Sequence, residues 1–220
     1  INLLTLTAQA AELPAEYVRI DHIVAPRGAY VNTGYSPQWD TRVVMDVTVQ
    51  GKAEYWFGCW DRNYNDGAFA FGNDGYGIYV GYGNQGGTFG SVVANGRRRV
   101  ELNKNVVKVD EEQIYAYKTN AFSLTRSLYL FGQNRNGSLG VAGEQKTIIC
   151  HGCTIYGGVW KVRNFVPCIR AADDVVGLYD TVERKFYTSA SSVGFDAGVL
   201  PAGYQAVDHI VVPRGAYIDT

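Results

Sequence analysis

The chain writes one phrase twice. DHIVAPRGAY occupies residues 21–30 and DHIVVPRGAY residues 208–217, and aligning 13–33 with 200–220 gives identity at 14 of 21 positions. The offset is constant, Tyr17 against Tyr204, or 187 residues. Periods of about 20–50 residues mark solenoids and propellers, whose units cannot bury a core alone. A period this long is instead the size of a whole domain, about 100–200 residues. The repeat therefore predicts one complete unit over 11–199 and, at 200–220, the truncated first strand of a second unit. Neighbouring repeats of the same chain become its first expected partners.

Upstream of the repeat, INLLTLTAQA (1–10) is apolar at Ile1, Leu3, Leu4 and Leu6 and ends on Ala8-Gln9-Ala10, a small-residue cleavage pattern. Nothing similar precedes the second copy, so 1–10 reads as a signal-peptide remnant. Export would place the unit outside the cell or on its surface. No other apolar run approaches the roughly 18 residues of a membrane span, so no membrane insertion is expected within the 220 residues.

Inside the unit the hydrophobic period is 2. TRVVMDVTVQ (41–50) sets Val43, Met45, Val47 and Val49 on one face against Arg42, Val44, Asp46 and Thr48 on the other. EYWFGCW, GAFAFG, YGIYVGYG and SLYLFGQN follow as further strands, and VELNKNVVKVD reads as a hairpin around Asn103-Lys104-Asn105. CTIYGGVWKVRNFVPC folds back at Gly157-Gly158, and Pro26 and Gly28 break the repeated phrase into two short strands around a kink. No window of about 12 residues carries a helical stripe. With 26 Gly, 16 Tyr and one Met, the chain is expected to be an all-β, two-sheet antiparallel sandwich or jelly roll.

Charge narrows the partners. A net charge of −1 lacks the basic footprint of a nucleic-acid binder, and the one basic run, Arg97-Arg98-Arg99, reads as a solvated strand face. Cys59, Cys150, Cys153 and Cys168 allow three disulfide connectivities and prove none. CHGC (150–153) lies in a strand pattern, where an odd separation would send the two sulfurs to opposite faces, and no second C-x-x-C completes a zinc site.

LPAEYVRIDHIVAPRGAYVNTGYSP, RSLYLFGQNRNGS, IYGGVWKVRNFVPC and VVGLYDTVERKFYTSASSVGFDAG together resemble bacterial laminin-G-like extracellular domains with a concanavalin A-like fold. The resemblance covers 13–198 and is most specific at VRNFVPC (162–168), GLYD (177–180) and KFY (185–187), which are framework signatures. It implies a jelly roll with a surface role in binding or adhesion, often to glycans, and transfers no defined binding residue.

Three apparent motifs fail on their chemistry. Gly81-Tyr82-Gly83-Asn84-Gln85-Gly86 spells G-x-G-x-x-G, but the next segment, GTFGSVVANG (87–96), has no helical period to meet a pyrophosphate, so a glycine-rich hairpin is expected. DRNYNDG (61–67) lacks the sixth-position Gly of an EF-hand; a looser Ca²⁺ site on Asp61, Asn63, Asn65 or Asp66 stays open, and no other cofactor or metal is expected. A glycosidase of this architecture would need carboxylates alternating along one strand, whereas Asp110-Glu111-Glu112 are adjacent and read as an acidic turn. No catalytic residue emerges.

What remains is an aromatic and amide-rich set of loops. Trp60, Tyr64, Asn65 and Asp66 fall near one turn, Tyr82 and Asn84 near a second, Asn134 and Arg135 near a third. Flat apolar rings against a pyranose face, with planar amides for its hydroxyls, are what sugar recognition requires. The expected function is a non-catalytic extracellular module binding carbohydrate or a cell-surface glycoconjugate. A ligand-free structural spacer is the rival, and a glycoside hydrolase a more distant one.

Overall fold

The computed structural model describes residues 13–51, 53–61, 67–141, 145 and 147–198. Among these the chain forms nineteen strands and no helix. β1 (Tyr17–Arg19), β2 (Ile23–Pro26) and β3 (Val31–Asn32) lead into β4 (Thr41–Val49) and β5 (Ala53–Trp60). An aromatic meander comes next, β6 (Ala68–Asp74), β7 (Ile78–Gly83) and β8 (Gln85–Phe89), then a polar one, β9 (Gly96–Asn103), β10 (Val106–Val109) and β11 (Glu112–Ala116). Short β12 (Tyr129–Leu130), β13 (Gln133–Arg135) and β14 (Ser138–Gly140) precede the long hairpin of β15 (Thr147–Gly157) and β16 (Trp160–Arg170). β17 (Val175–Asp180), β18 (Lys185–Tyr187) and β19 (Asp196–Ala197) complete the described unit.

Two sheets result. The first runs β11-β10-β9-β4-β15-β16-β17-β18, with β1 on β16 and β2 lying between β15 and β19; the second runs β14-β13-β5-β6-β7-β8, with β12 joining β5 to β3. Every pair is antiparallel except β13 with β5. Met45, Val47, Val100, Leu102, Ile148 and Ile155 of the first sheet and Trp56, Phe57, Phe69, Phe71 and Val80 of the second share one buried core. The architecture is the all-β sandwich that the period-2 pattern predicts, and the alternation of Val43, Met45, Val47 and Val49 is its inward face.

Two β-bulges alter what simple alternation predicts. In β5 the register slips between Tyr55 and Phe57, so the consecutive Trp56 and Phe57 both enter the core. In β15 it slips between Cys150 and Gly152: Cys150 faces Val47, Gly152 faces Asp46 and Cys153 faces Met45, with His151 supernumerary. An extra residue restores parity across an odd separation. Cys150 and Cys153 therefore both point into the core, not to opposite faces as period 2 alone suggests. All four cysteines are free and buried, and burial drives the Cys150 thiol up to about 12.

Turns agree closely with their residues. Lys104 (φ 53°) and Asn105 join β9 to β10, and the β15–β16 turn is Gly158 (φ 60°) with Val159, one residue later than Gly157-Gly158. Gly81–Gly86 is the β7–β8 hairpin, turning on Gly83 (φ 59°) and Asn84. SLYLFGQN is not one strand: Phe131 is left-handed (φ 68°), which reverses the chain so that β12 runs antiparallel to β5 and β13 parallel to it. The repeated phrase crosses from β2 in the first sheet to β3 in the second, kinking at Gly28 (φ 96°). At the other end β19 pairs with β2, and the Gly198 N–H donates to the His22 carbonyl (2.8 Å). The signal-peptide reading of 1–10 and the second copy at 200–220 lie outside the described residues.

Candidate functional site

Among the described residues, the expected sugar contacts of the three turns stand in different environments. Tyr82 is fully buried, in the core row Cys59–Phe69–Tyr82 that crosses β5, β6 and β7, and donates its hydroxyl to the Trp39 and Asn120 carbonyls (2.9 and 3.3 Å). It is packed as a core residue. Asn134 is buried too: its amide donates to the Ser127 carbonyl (2.9 Å) and its oxygen accepts the Gly137 N–H (2.7 Å), so it closes a turn. Asn84 is exposed, with its side-chain oxygen accepting from Asn120 (2.6 Å). Both Asp61 carboxylate oxygens accept from Thr125, at 2.8 and 2.9 Å. Tyr64, Asn65 and Asp66 lie outside the described residues, as does Asn63.

Trp60 and Arg135 do come together. The Arg135 guanidinium lies 4.7 Å from the Trp60 ring centroid and 5.8 Å from that of Tyr55, on the outer face of the second sheet. Its Nε and Nη2 both donate to Gln133 Oε1 (3.1 and 3.0 Å), which fixes the fork beside the rings. The sequence pattern did not single out Trp160, which is 76% exposed at the tip of the β15–β16 hairpin beside exposed Val159. Its place just past a Gly-Gly turn signal is the clue that was available.

The outer face of the first sheet carries a cavity of about 310 Å³. Its lining includes Arg19 of β1, Val44 and Asp46 of β4, Arg99 of β9, His151, Gly152 and Thr154 of β15, and Asn164 of β16. Strand alternation explains the set: Val44 and Asp46 are the outward partners of core Met45, and Arg99 lies opposite Asp46 in register. Thr154 donates to Asn164 Oδ1 (3.0 Å), whose Nδ2 donates to Thr181 Oγ1 (2.8 Å), so the amide is fixed in one orientation. Asp46 accepts both arms of Arg97 (2.7 to 3.2 Å), and Arg99 approaches Glu111 at 3.2 Å. The arginine run and the acidic turn are thus partners across the β9–β10 edge, with Arg98 donating to Asp110 (3.0 Å). Among the described residues no carboxylate pairs with Arg19.

Beside the cavity stands a polar cluster. His22 Nδ1 and His151 Nδ1 approach Asp21 Oδ2 at 2.8 and 3.2 Å, and His151 Nε2 is 2.8 Å from Thr48 Oγ1. The 3.2 Å approach is not aligned as a hydrogen bond, so His151 Nδ1 is buried without one. Burial, and then the Arg97 charge, hold the His151 imidazole below its ordinary range. The hydrogen bond with His22 is the main cause holding the Asp21 carboxyl below its usual range.

Compared with known proteins, the chain matches no family model and no curated protein. Among solved structures it is similar to the mouse laminin alpha1 chain, domains LG4-5, at 12% identity and a TM-score of 0.38. That likeness covers 77% of this chain and 49% of the laminin chain, so this chain spans about half of that length.

Proposed function

We propose that this two-sheet sandwich is a non-catalytic binding module that seats a saccharide bearing a carboxylate or sulfate in the cavity on its first sheet. The observation that carries the reading is the cavity itself. About 310 Å³ is at the small end of ligand sites, and two guanidinium groups, Arg19 and Arg99, flank a fixed amide and hydroxyl, Asn164 and Thr154. Guanidinium forks match carboxylate and sulfate oxygens, and rigid amides match ring hydroxyls. Asp46 is the one carboxylate in the lining and is held by Arg97, which supports binding over hydrolysis, since hydrolysis uses two carboxyl groups. In the second copy Ala206 stands where Arg19 does, so successive repeats would differ in their preference for acidic sugars. Linked copies raise avidity without new contacts.

A glycan array on the full chain, with and without Ca²⁺, tests this. Acidic oligosaccharides should bind, and R19A and R99A should each weaken them about 10- to 100-fold, since a hydrogen bond to a charged group contributes about 1.5–3 kcal/mol. Loss in Trp60→Ala instead would move the seat to the Trp60–Arg135 stack. Absence of any glycan binding would favour the spacer reading, which the internal use of Tyr82, Asn134 and Asp61 supports.

A further inference from the structure

The cluster of Asp21, His22 and His151 is built differently from the rest of the outer face, where each carboxylate of the arginine run meets its own guanidinium. Here one carboxylate oxygen is approached by two imidazole nitrogens, and one donor atom from each of the three residues lies within 4.8 Å of the others. The rings are 5.0 Å apart and inclined at 54°, so they converge on the carboxylate rather than stack. Four-coordinate zinc with bonds of about 2.0–2.1 Å to His nitrogen and carboxylate oxygen places its ligands about 3.3 Å apart. The observed 2.8 and 3.2 Å approaches to Asp21 lie near that spacing, and the two imidazole donors, within 4.8 Å of each other, reach it by side-chain rotation.

Three further observations point the same way. The His151 side chain is 7% exposed and turns its unbonded Nδ1 toward Asp21. A metal on Nδ1 requires the proton on Nε2, and Thr48 Oγ1 stands 2.8 Å away to accept it, the outer-shell contact that fixes a ligating tautomer. His151 is also the supernumerary residue of the β15 bulge, and bulges re-aim side chains. Finally, the second copy keeps the pair as Asp208-His209, although its neighbourhood changes from Glu16, Val18 and Arg19 to Gly203, Gln205 and Ala206. Arg97 reaches Asp21 only at 4.0 Å and is neutralised by Asp46.

We infer that Asp21, His22 and His151 form a binding site for a divalent transition metal of the zinc class, with three protein ligands and a remaining position for water. Imidazole and carboxylate donors suit zinc, cobalt and nickel over calcium. This assignment does not rest on the glycan reading.

The test is titration of the tag-free, chelator-stripped full chain with Zn²⁺ by calorimetry and with Co²⁺ by visible absorption. One equivalent should bind, with the intense visible bands of four-coordinate cobalt. Asp21→Asn and His22→Gln, both partly exposed positions, should each weaken binding at least about tenfold, the scale on which even outer-shell changes act. His209→Ala should leave it unchanged. Wild-type binding no tighter than that of Asp21→Asn, or a loss in His209→Ala equal to that in His22→Gln, would overturn the site. Far-ultraviolet circular dichroism of each variant confirms that the sandwich is intact, so that a loss is read as a loss of ligands.

Discussion

Glu54 is 2% exposed, yet its carboxylate is fully used: Oε1 accepts the Gln50 and Gly51 N–H groups (2.8 and 2.7 Å) and Oε2 accepts the Trp56 indole N–H (3.0 Å). Burial raises its pKa above the usual 4.5, more than those three donors lower it. A carboxyl with a raised folded pKa binds its proton more tightly in the native state. Its contribution is therefore fully present below the unfolded value of 4.5 and is lost as pH rises through the folded one. Glu54→Gln sets an amide NH₂ against donors on one side and should destabilise by about 1–3 kcal/mol. It should also flatten the fall in stability that begins near pH 4.5, measured by urea melts across pH 4 to 8. Single residues also show how far sequence reaches. Tyr82 reads as a loop residue because it ends a strand, but it is two residues beyond core Val80 and four beyond Ile78, so its parity already places it inside. Asn134 carries no such signal: its partners, Ser127 and Gly137, are set by the left-handed Phe131 that reverses the chain just before it.

Strands are legible wherever alternation is unbroken, as in β4, and obscured where a bulge intervenes, because one extra residue exchanges inside and outside for everything beyond it. In β15 the cue is Gly152 in the middle of an apolar strand. The bulge has a direct consequence for the element. Removing His151 leaves Cys150 opposite Val47, Gly152 opposite Asp46 and Cys153 opposite Met45, an ordinary ladder with the same inward face. Deletion of His151 should therefore preserve the far-ultraviolet spectrum and a cooperative thermal transition while abolishing zinc binding. A collapse of the sandwich instead would assign the bulge a structural purpose.

At the scale of the molecule, the repeat is legible independently of any strand, because a domain-length period is a statement about the whole chain. The cavity is not legible in this way: Arg19, Asp46, Arg99, His151 and Asn164 come from five strands and share no spacing. The same closure that makes one unit of 13–198 pairs its first strands with its last, since Ile23 lies opposite Ala197 and Val24 opposite Asp196. In an antiparallel pair the leading end of β2 and the trailing end of β19 lie side by side. Tension applied to the two ends of the unit would thus open this ladder like a zipper, one hydrogen bond at a time, rather than shear many at once. The three-residue β1–β16 ladder stands ahead of it on the leading side. Pulling on a polymer of this unit should give low, loading-rate-insensitive unfolding forces, and a disulfide across Val24 and Asp196 should raise them. Held by its two ends, the unit would yield by stages at this seam, as a compliant joint and not as a rigid block.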